Sequence, residues 1–319
     1  MSNTKRALVT GGAGFIGSHV SDALVAEGYE VLVVDDLSSG RRPNVPKAAR
    51  FVQLDIRDGV SLERVVAAFR PHVVSHQAAQ ISVSVSSREP VRDAEVNVLG
   101  TLHLLEACVA HGVEHVVFAS TGGAIYGEIA EPERAAVGRT PLPLSPYACA
   151  KFAVEGYLRR YQHEKGLRST ILRYANVYGP RQDPHGEAGV VAIFAERLLA
   201  GLPIKVNARR EAGDPGCIRD YVYVGDVVKA NVRAVSGKIS APIVNVGSGV
   251  PTTTLDLARM LERALHVTAN LGYGPRREGD VERSLLEPSQ EAIGEGAAWT
   301  PLERGIAETA SWFEEKHRP

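Results

Sequence analysis

Thr10-Gly11-Gly12-Ala13-Gly14-Phe15-Ile16-Gly17 follows a short apolar run and opens an amphipathic one. Gly11, Gly14 and Gly17 recur every three residues, and Gly12, Gly14 and Gly17 also fit the tighter G-x-G-x-x-G pattern. Glycines at this spacing permit a sharp turn and let the backbone approach a pyrophosphate, which the N-terminus of the following helix attracts. The stretch therefore predicts a dinucleotide site between a first strand and a first helix.

Apolar runs and helical patterns alternate outward from this loop. Short runs rich in Val, Leu or Phe predict strands over 6–10, 30–35, 50–54, 72–75, 114–120 and 169–174. Amphipathic patterns predict helices over 15–27, 61–69, 95–111 and 146–164. This alternation is typical of an α/β fold, a Rossmann-type doubly wound parallel sheet with helices on both faces.

The regular alternation of predicted strands and helices ends after Asn176. Polar, Gly- and Pro-rich loops are predicted over 178–189 and 208–218, with helices over 190–200, 254–265 and 303–316 and a strand over 243–246. We expect an NAD-binding domain over 1–175 and a smaller α/β substrate-binding domain over 176–319. Segments over about 220–250, including a helix that holds Asn231, are expected to return to the first domain.

Composition excludes several classes of protein. The net charge of −1 and the absence of a basic stripe argue against a nucleic-acid partner. Three cysteines, Cys108, Cys149 and Cys217, are too few and too scattered for a disulfide framework or a structural zinc site. With no apolar run long enough for a membrane span and no signal-peptide pattern, we expect a cytoplasmic enzyme without a membrane partner.

Acidic residues follow the second and third strands. Asp35 lies 18 residues after Gly17, where a carboxylate can accept hydrogen bonds from the adenosine ribose and repel a 2′-phosphate. The spacing therefore favours NAD over NADP, with Asp36 beside Asp35. Asp55 is expected to receive the adenine amino group, or else to cap the next helix.

Tyr147-Ala148-Cys149-Ala150-Lys151 lies at the start of a predicted helix, so Tyr147 and Lys151 share one face. A free phenol has a pKa of about 10. A neighbouring ammonium and the positive nicotinamide favour the phenolate, so Tyr147 becomes a suitable general base and acid. Lys151 would supply the charge and hold the nicotinamide ribose.

A hydroxyl at the end of the fifth strand completes the predicted catalytic set. Thr121 is the preferred residue to bond the substrate oxygen that loses its proton, and Ser120 is the alternative. Either residue can instead satisfy backbone groups at the strand end.

These residues together resemble the extended short-chain dehydrogenase/reductase superfamily and, within it, the UDP-glucose 4-epimerases. The resemblance covers nearly the whole chain. The motifs that carry it are TGGAGFIG (10–17), DDLSSG (35–40), HQAA (76–79), Asn97, FASTGGAIYG (118–127), YACAK (147–151), LRYANVYGPRQDP (172–184), RDYVYVGDV (219–227) and RREGD (276–280).

The resemblance implies further roles. It implies that Phe15 and Ile16 contact the pyrophosphate of the cofactor and that Ser39 and Gly40 approach its adenosine. At the nicotinamide half it implies Gln77, Ala78, Ala79, Gln80 and Tyr174. Ile56 and Asn97 are two further implied cofactor positions. The substrate positions it implies are Asn176 at the sugar diphosphate, Arg219 and Arg277 as a diphosphate clamp, Tyr221 beside the nucleotide, and Ser284 near the sugar C2 substituent.

Two departures narrow the expected reaction. Sugar 4,6-dehydratases carry Asp-Glu after the Ser/Thr, and related uronate decarboxylases keep a Glu, whereas this chain has Gly122-Gly123. The carboxyl groups that eliminate water are therefore missing. Ser284 takes the place of a bulky Tyr that is associated with rejection of N-acetyl sugars, so a roomier pocket is expected.

The resemblance thus implies NAD-dependent epimerisation at C4 of a UDP-hexose through a 4-keto intermediate. The substrates are expected to be UDP-glucose and UDP-galactose, with the N-acetylhexosamine pair also accepted. Alternatives are a UDP-uronate 4-epimerase, another nucleotide-sugar oxidoreductase such as a reductase, or a non-catalytic NAD-binding regulator. No metal is expected, although Asp183, His185 and Glu187 cluster in sequence. By analogy, the helices over 95–111 and 146–164 would form a homodimer.

Overall fold

The computed structural model describes residues 4–184, 189–277 and 280–317. Within them the chain forms β1 (Arg6–Thr10), β2 (Glu30–Asp35), β3 (Arg50–Gln53), β4 (Val73–His76), β5 (His115–Thr121), β6 (Arg168–Tyr174), β7 (Asn176–Tyr178), β8 (Ile204–Asn207), β9 (Ile218–Tyr223), β10 (Ile243–Val246), β11 (Pro251–Thr253), β12 (Leu271–Gly274) and β13 (Arg283–Ser284). Seven of these strands form a parallel sheet in the order β10-β6-β5-β4-β1-β2-β3. The predicted doubly wound parallel sheet is confirmed.

Helices flank this sheet and build the rest of the described chain. They are α1 (Phe15–Ala26), α2 (Gly59–Phe69), α3 (Val83–Arg88), α4 (Pro90–Ala94), α5 (Gly100–Ala110), α6 (Gly122–Ile125), α7 (Pro146–Lys165), α8 (Val190–Leu199), α9 (Val224–Val235), α10 (Thr254–Ala264), α11 (Gln290–Ile293) and α12 (Leu302–His317). A 3₁₀ turn covers Arg42–Asn44, and a π-helical turn covers Glu95–Leu99. None of the described helices is long and apolar enough to cross a membrane.

Each face of the sheet carries its own apolar core. Val20 and Leu24 of α1 pack with Val227 and Ala230 of α9 on one face. On the other face, α2, α5 and α7 supply buried side chains such as Leu62, Leu104, Val154 and Leu158. The strand order reverses between β1 and β4, and in such a sheet this reversal opens a crevice at the carboxyl ends of the strands.

The second half of the chain adds a smaller unit. β9 lies between β11 and β13 and also pairs with β7, while β8 pairs with β12. A third core joins α8, α10 and α12 through residues such as Phe194, Leu257 and Phe313. β10 lies outside this unit, because its backbone pairs with β6 at the edge of the large sheet.

The region before α5 differs from the sequence prediction. A single helix was expected over 95–111, but α4 and the π-helical turn precede α5. Gly100 stands where the π-helical turn passes into α5, and a Cβ there would lie 2.8 Å from Ile56 Cγ1. The absence of a side chain at Gly100 therefore lets this backbone approach Ile56, in the loop after β3, closely.

Candidate active site

A cleft opens at the carboxyl ends of β1, β2, β4 and β5, where the strand order reverses. The predicted cofactor residues that line it are Gly11, Gly14, Phe15, Ile16, Gly17, Asp35, Asp36, Ser39, Asp55, Ile56, Gln77, Ala78, Ala79, Gln80, Ser120, Tyr147, Lys151 and Tyr174. The predicted residues outside its lining are Gly40, Asn97, Thr121, Asn176, Arg219, Tyr221, Arg277 and Ser284. Residues that are distant in sequence therefore meet in one cleft, as a shared binding site requires.

The glycine loop is packed too closely for side chains. Gly11 has φ +67°, and a Cβ there would lie 2.6 Å from the backbone nitrogen of Ala78. A Cβ on Gly17 would lie 2.1 Å from the carbonyl oxygen of Gly11. Because every one of these neighbours is backbone, the cradle exists only with glycine at both positions.

Asp35 fixes the loop that follows β2. Its carboxylate accepts hydrogen bonds from Ala13 N (2.9 Å) and Leu37 N (2.8 Å). Burial raises the pKa of Asp35, although the hydrogen bonds from these two backbone donors act to lower it. A Cβ on Gly40 would lie 2.7 Å from Asp35 Oδ1, so Gly40 packs behind the carboxylate rather than lining the cleft. Asp36 accepts from Ser38 N and Oγ at the rim.

Asp55 is held by a neighbour that the sequence analysis missed. Arg57 donates to its carboxylate through Nε (2.9 Å) and Nη2 (2.6 Å), and these bonds lower the pKa of Asp55. The alternative role for Asp55 was wrong, because Asp58 is the residue that caps α2, by accepting from Ser61 N. Asp55 and Arg57 both face the cleft.

A cluster of polar side chains lies behind the part of the cleft where the nicotinamide half of the cofactor is predicted to bind. Gln77 Nε2 donates to Ser75 Oγ (3.0 Å) and Asn231 Oδ1 (2.9 Å), and Asn231 Nδ2 donates to the Tyr174 hydroxyl (2.8 Å). Asn231 belongs to α9 and is fully buried. A side chain from the second half of the chain therefore orients two residues that line the cleft.

Gln80 is held rigidly by Asn97. The Asn97 side chain accepts from Gln80 N and donates to Gln80 O, both at 2.9 Å. Asp93 Oδ1 accepts from Gln80 Nε2 (2.7 Å) and Asn97 Nδ2 (3.0 Å). Asn97 therefore acts from behind the cleft wall, and Asp93, which the sequence analysis did not single out, supports it.

Tyr147 and Lys151 open α7. Ser145 caps this helix by accepting from Ala148 N, and Pro146 occupies its first turn, so the reactive pair starts at a fixed point. Lys151 Nζ donates to Ala119 O (2.9 Å) and lies 6.0 Å from the centroid of the Tyr147 ring. Burial lowers the pKa of Lys151 to about 8. The pair thus places a buried cation beside a half-buried phenol.

The two hydroxyls at the end of β5 differ in their surroundings. Ser120 Oγ donates to Glu155 Oε1 (2.6 Å), and Arg173 clamps the same carboxylate at 2.9 and 2.5 Å. Glu155 follows Lys151 by four residues on α7 and is fully buried. Thr121 is not engaged by this ion pair, which distinguishes the two candidates.

The turn after Thr121 has no room for an acidic side chain at its first position. A Cβ on Gly122 would lie 2.5 Å from Leu286 Cδ1, whereas the nearest atom to one on Gly123 would be Asn176 Nδ2, at 3.6 Å. Ser284 Oγ donates to Gly123 O (2.9 Å), and Ser284 is buried. Ser284 is therefore adjacent to the catalytic turn although it lies outside the cleft lining.

The remaining predicted substrate residues lie on β7, β9 and the loop after β12. Asn176 donates to Asp220 O (3.1 Å). Tyr221 is buried in the third core against Tyr178, with ring centroids 6.5 Å apart. Arg219 donates to Ile218 O. Arg277 is exposed, and its guanidinium lies 2.8 and 3.0 Å from the Asn207 amide oxygen in the orientation that satisfies both groups.

His185, Glu187 and part of the RREGD motif lie outside the described residues. Among residues 4–184, 189–277 and 280–317, no group of three or more His, Cys, Asp and Glu side chains is placed to hold a metal ion.

A family model described as the NAD dependent epimerase/dehydratase family matches residues 7–247. The chain is 52% identical to the UDP-glucose 4-epimerase of Thermus thermophilus, whose crystal structure is a complex with NAD. That match covers 97% of this chain and 99% of the other, with a TM-score of 0.92.

Two further solved structures are similar. One is the UDP-glucose 4-epimerase of Thermotoga maritima with UDP-glucose, at 44% identity over 98% of this chain and all of that one, with a TM-score of 0.92. The other is the UDP-N-acetylglucosamine 4-epimerase of Methanobrevibacter ruminantium M1 in complex with UDP-N-acetylmuramic acid, at 32% identity. It covers 98% of this chain and 99% of its own, with a TM-score of 0.89.

Proposed function

Because the chain belongs to the NAD dependent epimerase/dehydratase family, we propose that it epimerises C4 of a UDP-hexose, interconverting UDP-glucose and UDP-galactose through a 4-keto intermediate. The observation that carries this proposal is the Tyr147–Lys151 pair, which opens onto the same cleft as the glycine loop. The absence of a carboxylate at Gly122-Gly123 favours epimerisation over elimination of water.

NAD is the cofactor of this family, and the cleft fits it. Because Gly11 and Gly17 have no side chains, the backbone of the glycine loop can approach a bound pyrophosphate closely. The loop lies at the N-terminus of α1, where a pyrophosphate is favoured. The acidic Asp35 at the end of β2 suits ribose hydroxyls rather than a 2′-phosphate. When bound, NAD supplies a hydride acceptor that also returns the hydride, so the reaction has no net redox change.

Tyr147 does the proton chemistry in this proposal. Its phenolate takes the proton from the sugar O4 and returns it after the ring has turned over. Lys151 contributes a positive charge 6.0 Å from the phenol ring and is itself oriented by Ala119 O. The buried setting of Lys151 strengthens this charge effect, since few waters screen it.

We assign the steering hydroxyl to Thr121, because the Ser120 hydroxyl is already used by Glu155. The Thr121→Val variant is expected to lower kcat about 10- to 100-fold, the effect of losing one hydrogen bond to a group that becomes charged. Ser120→Ala should change kcat less than about threefold and should instead lower the melting temperature, because a bond to a buried carboxylate is lost. Steady-state kinetics and thermal unfolding of both variants test the assignment; a larger kcat loss in Ser120→Ala would reverse it.

The substrate end is proposed to lie across β7, β9 and the loop after β12. Arg219 and exposed Arg277 supply the positive charges for a diphosphate, and Asn176 lies beside Gly123 at the catalytic turn. Tyr221 would help to shape the nucleotide side from within the third core. Firm binding of the diphosphate with few clamps on the sugar suits a reaction in which the sugar ring must turn.

The pocket beside Ser284 is proposed to admit an N-acetyl group, so UDP-GalNAc and UDP-GlcNAc would be converted as well. The support is the small side chain, which lies against Gly123 next to the catalytic turn. The similarity to a UDP-N-acetylglucosamine 4-epimerase agrees with this proposal.

The purified protein is to be incubated separately with UDP-galactose, UDP-GalNAc and UDP-glucuronate without added NAD, and the products identified by NMR. We expect the first two substrates to be epimerised at C4. Conversion of UDP-glucuronate alone would favour the uronate alternative. Net consumption of NADH or NADPH, supplied in a parallel assay, would identify a reductase. No conversion of UDP-GalNAc would refute the roomier pocket, and no conversion of any sugar would refute the proposed function.

We also propose a homodimer with an NAD-binding domain over 1–175, joined by segments over about 220–250, and a substrate domain over 176–319. Exposed apolar side chains at Val91, Leu99 and Tyr157 on α4, the π-helical turn and α7 support a helical dimer interface. A monomeric mass by sedimentation at micromolar concentration would contradict the dimer.

The three free cysteines favour a cytoplasmic location, which cell fractionation tests.

A further inference from the structure

Asp93 is an unusual residue of this site, because its carboxylate is buried and only half satisfied. Its side chain is 1% exposed. Oδ1 accepts from Gln80 Nε2 and Asn97 Nδ2, whereas Oδ2 accepts no hydrogen bond from the described residues. A buried polar atom without a partner costs about 1–3 kcal/mol, and more when it is charged, so it calls for an explanation.

The two hydrogen bonds do not themselves require a carboxylate. Both come from N–H donors, and the amide oxygen of an asparagine at this position would accept them equally well. What distinguishes aspartate is its second oxygen and its negative charge. Burial raises the pKa of Asp93, whereas its two hydrogen bonds and the positive charge of Lys151 favour the ionised form. A role for the charge is therefore to be sought in what lies near it.

The position of Asp93 shows where that charge acts. Asp93 lies on α4, which packs against α7, the helix that carries Lys151. Lys151 is buried (3% exposed), and the acceptor of its hydrogen bond is the neutral carbonyl of Ala119. Burial lowers the pKa of Lys151, and the negative charge of Asp93 opposes that change.

The other charged groups on the elements packed against α7 do not serve Lys151 in this way. Arg88, Glu89 and Arg92 on α3, α4 and the turn between them are exposed, and so is Glu95 on the π-helical turn. His103 and Glu106 on α5, which also packs against α7, are exposed as well. Glu155 on α7 itself is paired with Arg173 of β6.

Behind Lys151, the buried imidazole of His76 lies between Thr10 and Thr101. Burial lowers the pKa of His76 to about 3, so it stays neutral. Asp93 is therefore the anion left to balance Lys151 within the described chain.

We propose that Asp93 is a positioning residue that keeps Lys151 in its charged form and, through Gln80 and Asn97, fixes the cleft wall beside it. Asp93 touches neither cofactor nor substrate in this proposal; it acts through Lys151. The inference rests on the proposed function, since the charge of Lys151 tunes proton transfer only where Tyr147 performs it.

The test is the pH profile of kcat/KM for UDP-galactose in Asp93→Asn and in the native protein. The native profile should fall above about pH 8, as Lys151 loses its proton. Without the carboxylate the charged form of Lys151 is less favoured, so this limb should move to lower pH by about half a unit to one unit. At a pH above both limbs, the variant should then lose roughly three- to tenfold more activity than it loses at a pH below both limbs.

Two further variants separate charge from structure. Asp93→Glu keeps the charge and should restore the alkaline limb, even if its kcat is reduced. Asp226→Asn is the matched control, because Asp226 is an equally buried aspartate (1% exposed) on α9, away from Lys151. Its carboxylate accepts hydrogen bonds from Lys229 Nζ and from the backbone N–H of Thr300. Its alkaline limb should not move.

Distinct outcomes separate the two claims. An inactive native protein would count against the proposed function. If the native protein is active and the Asp93→Asn variant loses the same factor of activity at every pH, Asp93 does not act on the charge of Lys151. Its role would then be structural only. If Asp93→Asn does not fold, an Asp93→Glu variant with a displaced alkaline limb would also contradict the proposal.

Discussion

Replacing Tyr147 by phenylalanine is expected to lower kcat about 10²- to 10⁴-fold, the range of one general acid–base group. The ring and its packing remain, and only the hydroxyl that exchanges the sugar O4 proton is lost. Since the glycine loop, Asp35 and Lys151 are untouched, NAD should remain bound, which its absorbance in the purified protein can show. Single-turnover kinetics with UDP-galactose measure the chemical step directly.

Tyr157→Phe is the matched control for this prediction. Tyr157 lies on the same helix, is 38% exposed and takes no part in the cleft. Because phenylalanine keeps the ring that Tyr157 would add to the proposed dimer interface, kcat should stay within about twofold of the native value. If Tyr147→Phe retained near-normal turnover, Tyr147 would not be the base, and another group would have to take the proton.

Replacing Gly17 by alanine is expected to weaken NAD binding on the order of 100-fold, the upper range of an overpacked contact. The new Cβ would lie 2.1 Å from Gly11 O and 3.0 Å from Gly12 Cα, so the loop itself must move. The protein should purify without NAD, and its activity should return only with a large excess of added NAD. Isothermal titration measures the affinity.

Gly156→Ala is the control for the added methyl group. Gly156 lies within α7, and a Cβ there meets no atom within 4 Å. Alanine is favoured over glycine in a helix interior by roughly 1 kcal/mol, so this variant should keep its NAD and melt slightly higher. Equal NAD affinity in Gly17→Ala and Gly156→Ala would show that the cradle does not hold the cofactor.

The parts of the fold that the sequence predicts are those with strong local signals. β1, β2 and α1 flank a loop whose glycines are required by backbone contacts, and so the pattern and the structure agree closely. Ser145 and Pro146 mark the start of α7, so Tyr147 and Lys151 could be placed on a helix. The order of these elements then indicates the parallel sheet.

Other features depend on contacts between distant segments. β8 and β12 are four residues each, with few apolar positions, and form only because they pair with each other. α3 and α4 carry polar sequences, yet they frame α7: Ser86 Oγ accepts from Tyr147 N (3.2 Å). The spacing of Asp93 and Asn97, four residues apart, was the one local signal that could have indicated their shared role.

Tertiary contacts also bear on choices that the sequence left open. The sequence analysis prefers Thr121 to Ser120, and the hydrogen bond from Ser120 to Glu155, which pairs with Arg173, supports the proposed assignment to Thr121. Asp55 looked like a helix cap or a cofactor ligand, and the cap proved to be Asp58. Side chains of the same type, a few residues apart, were distinguished by what packs against them.

The most direct test of C4 epimerisation uses UDP-galactose that carries deuterium at C4 of the sugar. If hydride leaves C4 and returns to the same carbon within one closed cleft, the UDP-glucose formed should keep its deuterium at C4 in ordinary water. Proton NMR of the product measures this retention. Replacement of the deuterium by solvent hydrogen during epimerisation would contradict the account, because it would mean that C4 exchanges a proton rather than a hydride.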